Sequence, residues 1–220
     1  VSYTQRLSDR AYSLILKHEV GGGVSYYNAE LKRPTWPKGA SGVTVGIGYD
    51  LGYHTREEIR NDWQAAGLEA YLVYRLEQAA GIKGREAERA CSQMQDVEIS
   101  WERAWWVFNE RTLPKYIRQT LRAFPDAHLK LSADGFGALV SLVFNRGTSM
   151  GDPNDPKDRE RRKEMRNIQV LLRDVPAGPW LNDAMATQIR RMKRLWQDTG
   201  QPGLLRRRED EAAMFDGGVR

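Results

Sequence analysis

Two carboxylates and a hydroxyl are the residues of this sequence best placed to do chemistry. Glu19 comes at the end of a pattern in which Ala11, Leu14, Ile15 and His18 recur at i, i+3, i+4 and i+7. Three glycines, Gly21 to Gly23, follow almost at once. A helix cannot be sustained through them, so Glu19 is expected at a helix end beside an apolar face. Burial disfavours a charged carboxylate. A glutamic acid that keeps its proton near neutral pH can donate it to a glycosidic oxygen. Taken alone, a helix-terminal glutamate is more often structural or solvated.

The second group lies in the stretch from Gly42 to Gly52, where glycines at 42, 46, 48 and 52 surround Thr44 and Asp50. Spaced glycines let backbone bend and come close to a ligand. Thr44 offers a hydroxyl that can hold a water, and Asp50 offers a second carboxylate. The bland alternative is a glycine-rich hairpin. A phosphate loop is excluded, because no Gly-Lys-Ser/Thr follows. Six residues of straight strand span about 20 Å, so Thr44 and Asp50 serve one ligand only if the chain folds back. Gly46 and Gly48 permit that. His18, His54 and His128 lack metal-ligand spacing, and no metal or cofactor is implied.

The elements that must position these groups follow from local signals. Residues 4–18 read as an amphipathic helix with Ser8 or Asp9 as a cap. Residues 25–42 read as irregular, punctuated by Pro34, Pro37, Gly39 and Gly42. Residues 43–49 have strand composition, softened by glycine. Beyond Thr55 the chain reads as mostly helical. Thr55 with Glu58 makes a capping box. Ser100 opens a long helix carrying Trp101, Trp105, Trp106 and Phe108. Ser132 opens the most apolar helix, over 136–144, read as central and buried, ending at Asn145-Arg146-Gly147. Residues 150–166 read as a charged, solvated excursion, and 187–198 and 202–215 as helices. The expected class is α+β, helix-dominated, with a small β or irregular part near the N-terminus.

The chain has 220 residues, a net charge of +5 and a single cysteine, Cys91. An intrachain disulfide is therefore impossible, and folding in a reducing compartment is allowed. The charge favours polyanionic partners without naming one. A nucleic-acid binder is disfavoured: no such motif is present and the basic residues are scattered. No apolar run approaches the length of a membrane span, and the first residues do not read as a signal peptide.

Several motifs together resemble a known family. His18-Glu19-Val20-Gly21-Gly22, followed by Thr44-Val45-Gly46-Ile47-Gly48-Tyr49, resembles the helix-end glutamate and Thr-x-Gly-x-Gly strand of phage-type lysozymes. Asp50 after Tyr49 is similar to the variant in pesticin-like muramidases. Leu142-Val143-Phe144-Asn145-Arg146-Gly147 resembles their buried helix ending in Phe-Asn-x-Gly. Gly203-Leu204-Leu205-Arg206-Arg207-Arg208-Glu209, with Glu211 and Phe215 beyond, resembles their closing Gly-Leu-x-x-Arg-Arg helix.

The resemblance implies one lysozyme-like catalytic domain over residues 1–220, two-lobed, that cuts peptidoglycan between N-acetylmuramic acid and N-acetylglucosamine. By position it makes Glu19 the general acid, Thr44 the residue that helps place the attacking water, and Asp50 the second carboxylate. Phage lysozymes carry their aspartate before the threonine. In this chain the corresponding loop holds only Asn28 and Glu30, so Glu30, or no second carboxylate, remains an alternative to Asp50. Asn145 reads either as a residue satisfying helix-end carbonyls or as a glycan contact. Trp36 is the tryptophan expected to touch sugar, and Arg146 is expected at the surface. Competing functions are a lytic transglycosylase, which needs only Glu19, and a catalytically dead wall-binding module. The expected partners are peptidoglycan glycan strands and a cognate immunity protein, with no nucleic acid and no membrane insertion, the chain being a monomer. It is expected to be made in the cytoplasm, to act on the wall in the periplasm of a target or host cell, and to be the C-terminal part of a longer toxin or lytic protein.

Overall fold

A computed structural model of the chain describes residues 7–21 and 23–216. The chain is helix-dominated with one small sheet, an α+β arrangement. In order, the elements begin with α1 (Asp9–Val20), α2 (Gly23–Tyr26), β1 (Thr44–Val45) and β2 (Tyr49–Asp50). Next come α3 (Arg56–Ala65), α4 (Ala70–Glu77), α5 (Arg85–Ser92), α6 (Trp101–Val107) and α7 (Leu113–Ala123). The last are α8 (Ala127–Lys130), α9 (Ala133–Arg146), α10 (Pro156–Arg161), α11 (Lys163–Asp174), α12 (Pro179–Arg191) and α13 (Pro202–Ala212). Two compact units result, Glu19–Pro114 and Val1–His18 with Lys115–Arg220. No helix among the described residues is long and apolar enough to cross a membrane.

In the Glu19–Pro114 unit the core gathers Tyr27, Val43, Val45, Ile47, Tyr49, Leu51, Ile59 and Trp63. The capping box of α3 forms as expected. Thr55 Oγ1 accepts from the Glu58 amide at 3.1 Å, and Glu58 Oε2 accepts from the Thr55 amide at 2.8 Å. Ser100 caps α6, which continues through a π-turn at Phe108–Thr112 into α7. One expectation is corrected: residues 23–31 are helical turns, α2 followed by a π-turn at Tyr27–Leu31, and irregular chain starts only at Lys32. Tertiary anchoring supplies what the local sequence lacks. The buried Tyr27 hydroxyl donates to the Ile99 carbonyl at 3.0 Å, and its ring meets Trp101 edge-on at 5.4 Å.

The other unit is organised around α9, whose residues from Gly135 to Val143 are all buried. Ser132 caps it by accepting from the Gly135 amide at 3.1 Å. Gly137 is where α1 comes close: a Cβ there would lie 2.1 Å from the Ala11 Cβ. The N-terminal helix begins at Asp9, with Ser8 Oγ accepting from the Ala11 amide at 3.0 Å. Its expected start, residues 4–6, lies outside the described residues. α12 starts at Pro179, earlier than the expected 187, because Pro179 occupies the first helical turn, where a missing N–H costs nothing.

Two further readings are corrected. The excursion 150–166 is solvated through α10, but Glu164 and Met165 are buried in α11. Arg146, expected at the surface, is buried. Its Nη2 donates to the Arg161 carbonyl at 2.9 Å, and Arg162 Nη1 donates back to the Arg146 carbonyl at 2.6 Å. That exchange satisfies one of the orphan carbonyls at the end of α9.

Candidate functional site

The glycines from 42 to 52 build a hairpin. β1 and β2 pair antiparallel with Thr44 opposite Asp50 and Val45 opposite Tyr49. The reversal runs through Gly46 and Gly48, at φ 59° and 69°, a region that side chains with a Cβ rarely adopt. Directly opposed residues project to the same face, with Cβ atoms about 4.5–5.5 Å apart. The chain folds back, and Thr44 and Asp50 are neighbours. Val45 and Tyr49 take the opposite face and are buried, whereas Thr44 and Asp50 are half-buried.

A third residue joins that row. Thr35 and Thr44 exchange backbone hydrogen bonds at 2.9 and 2.8 Å in an isolated antiparallel bridge, so Thr35, Thr44 and Asp50 form one row across the two-stranded sheet and the bridging residue. Thr35 is half-buried. Sequence reasoning missed it, because a single bridging residue inside a proline-punctuated loop has no periodic signal.

The Asp50 carboxylate clamps two backbone segments. Oδ1 accepts from the Gly52 amide at 2.8 Å, and Oδ2 accepts from the Gly42 amide at 3.1 Å. Only glycine fits at either amide. A Cβ on Gly42 would lie 2.2 Å from Asp50 Oδ1 and 2.5 Å from the Gly52 nitrogen; one on Gly52 would lie 2.7 Å from the Ile82 carbonyl oxygen. A carboxylate has more acceptor positions than the two that this clamp uses.

Behind the hairpin lies a polar support that the sequence did not reveal. The Tyr49 hydroxyl donates to Asp62 Oδ2 at 2.8 Å, and Arg111 Nε holds Asp62 Oδ1 at 3.0 Å. Tyr49 also stacks on His54, with ring centres 4.0 Å apart, and His54 Nδ1 lies 2.8 Å from the Asp50 carbonyl. Burial, reinforced by the Asp62 charge, pushes the Tyr49 hydroxyl far above the usual phenol range. It therefore acts as a fixed neutral donor.

Glu19 is half-buried in the last turn of α1, followed by Gly21 at φ 42°. Glu30 is exposed in the π-turn. Trp36 is half-buried, and its indole N–H donates to the Ser41 carbonyl at 3.2 Å. That bond pins the loop carrying Lys38, which adopts φ 75°. Trp36 thus keeps ring surface for a ligand but has committed its N–H. Asn145 is exposed in the last turn of α9, and the helix is closed by Gly147 at φ 70°, so capping falls to Gly147. Within the other unit, His18 Nε2 sits 3.0 Å from Asp210 Oδ2. Burial first and the Arg207 guanidinium second lower the imidazole to about 4, against the opposing pull of Asp210. Among the described residues no three His, Cys, Asp or Glu side chains come together in a way that could hold a metal ion.

Together these features define a helix-dominated α+β protein with a clamped Thr/Asp hairpin in its Glu19–Pro114 unit. Residues 19–120 match the model of a domain of unknown function, DUF8812. The matched stretch begins at Glu19, contains Trp36, Thr44 and Asp50, and stops before Asn145. No curated protein matches the chain.

Proposed function

We propose that the chain is a muramidase with a lysozyme-like fold, cutting peptidoglycan between N-acetylmuramic acid and N-acetylglucosamine. Glu19 is the general acid: its proton passes to the glycosidic oxygen as the bond to the anomeric carbon breaks. Water supplies the oxygen that replaces it, and the water's proton passes to the Asp50 carboxylate. The observation that supports this reading is the hairpin register, which sets Thr44 opposite Asp50, both half-buried. That pair can hold and align one water. Asp50 uses its free acceptor positions for the water while its clamp to Gly42 and Gly52 fixes its direction. Asn145 and the Trp36 ring are proposed glycan contacts.

The test is Glu19→Gln, which keeps shape and removes the acid. Loss of general acid catalysis should cost at least about 10²-fold in rate, with folding intact. Purified variant and unmodified protein are compared on peptidoglycan sacculi, and lysis at an undiminished rate overturns the assignment.

One observation favours a second reading. Both Asp50 oxygens already accept backbone N–H groups, and a lytic transglycosylase needs the acid but no water-activating carboxylate. The products separate the two: hydrolysis leaves a reducing muramic acid end, transglycosylation an anhydro end.

A further inference from the structure

One cation stands beside the Thr44 and Asp50 row with no carboxylate to neutralise it. Lys83 pairs with Gly42 in an isolated antiparallel bridge, and the Gly84 amide donates to the Ser41 carbonyl at 3.0 Å. Gly42 precedes Thr44 by two residues, and the alternate residues Val43 and Val45 are buried. That alternation puts Gly42 on the face of Thr44. A Cβ built on Gly42 points the same way, since it would come 2.2 Å from Asp50 Oδ1. Directly opposed residues share a face, so Lys83 extends the row that Thr35, Thr44 and Asp50 form.

The Lys83 side chain is held in place. Its stem passes close to Gly52, the residue whose amide Asp50 holds: a Cβ on Gly52 would lie 3.0 Å from Lys83 Cγ. Its ammonium sits 3.7 Å from the centre of the Tyr53 ring. Tyr53 is 59% exposed, and Lys83 is exposed as well. An ammonium over an aromatic face is held by the ring's electron density, yet it keeps its charge and its N–H donors. Among the described residues the Tyr53 ring is the ammonium's one partner. Trp36, a proposed glycan contact, is joined to the same segment. Its indole N–H donates to the Ser41 carbonyl, which also accepts from Gly84.

We propose that Lys83, steadied on Tyr53, binds a carboxylate of the substrate strand, so that the chain prefers charged peptidoglycan to a neutral glycan. The inference rests on the muramidase reading. A strand of N-acetylglucosamine alone is neutral. Muramic acid adds a lactyl group, itself a carboxylate when free; where a peptide is attached to it, the peptide carries the carboxylates. Lys83 meets either source through the same charge-assisted hydrogen bond.

The experiment is calorimetric titration of the full chain in the Glu19→Gln background, which prevents turnover. Three probes are compared: chitotetraose, a peptide-free tetrasaccharide of alternating N-acetylglucosamine and N-acetylmuramic acid, and the same tetrasaccharide bearing peptide stems. At low salt a carboxylate probe should bind about fivefold more tightly than chitotetraose, the upper end for an exposed ion pair. Tighter binding of the peptide-free tetrasaccharide assigns the lactyl carboxylate to Lys83; tighter binding of the peptide-bearing one alone assigns a stem carboxylate. The gap should close as salt rises above physiological strength, a readout that needs no variant. Lys83→Met should remove the gap and leave chitotetraose affinity unchanged, and Lys83→Arg should keep it. Three results each overturn the proposal and leave the muramidase reading standing: carboxylate probes no tighter than chitotetraose, a gap that survives in Lys83→Met, or equal weakening of all three probes by that substitution. Absence of binding to every probe, with sacculi left intact by the unmodified protein, removes the muramidase reading and this proposal with it.

Discussion

Replacing Asp50 with alanine separates the two jobs that its position allows. The carboxylate accepts from the Gly52 amide at 2.8 Å and from the Gly42 amide at 3.1 Å. Hydrogen bonds to a charged partner contribute about 1.5–3 kcal/mol each. The site is half-buried, so water reaches part of what the substitution uncovers and the low end of that range applies. Asp50→Ala should therefore destabilise the protein by about 2–4 kcal/mol. Asp50→Asn keeps one acceptor oxygen and turns an NH₂ toward the other amide, so it should lose roughly half as much. The measurement is urea unfolding, comparing midpoints at unchanged slope. An Asp50→Ala protein within about 0.5 kcal/mol of the unmodified one, the ordinary range for an inconsequential surface change, would refute the clamp. If that same protein had also lost lysis, the carboxylate would be acting on substrate or water and not on the backbone.

Three other outcomes are expected. The His18 imidazole, lowered by burial and Arg207 to about 4, should titrate by NMR near that value. Because the folded value is below the ordinary one, its contribution to stability is complete above about 6.5 and is lost as pH falls toward 4; a midpoint near 6.5 would contradict the burial. Gly137→Ala would bring a Cβ to 2.1 Å from that of Ala11; overpacking of this kind costs about 1–3 kcal/mol, and a stabilised variant in denaturant unfolding would show that α1 does not pack there. Under the muramidase reading the anomeric form of fresh product, observed by NMR before mutarotation, should be inverted. Inversion needs carboxyl groups about 6.5–9.5 Å apart with a water between them. Retention would mean that Thr44 and Asp50 do not hold such a water, while leaving Glu19 as acid.

Much of the scaffold could be read from local sequence. The caps at Ser100, Ser132 and Thr55 depend on side chains reaching amides three residues away, and a linear pattern holds that information. The reversal that sets Thr44 opposite Asp50 is similarly local, since Gly46 and Gly48 carry the positive φ values of the turn. The burial of α9 followed from a helix apolar on nearly every side.

Other features depended on which distant segments met. The clamp formed by Asp50 exists because Gly42 and Gly52 pack backbone against backbone; composition showed the glycines but not their contact. Thr35 joined the Thr44 row through a single bridge, and residues 23–31 became helical because Tyr27 reaches Ile99 and Trp101. Arg146 shows the limit most clearly. By type and position it reads as a charged residue at an exposed helix end. It is buried because the α10–α11 junction and Trp196 close over it, presenting a carbonyl and a ring face. Charge and propensity are properties of one residue and its near neighbours, so the sequence determined where elements start, stop and turn. Desolvation and hydrogen-bond partnership depend on chain brought from far away, so only the tertiary structure decided which charged groups are buried and what they hold.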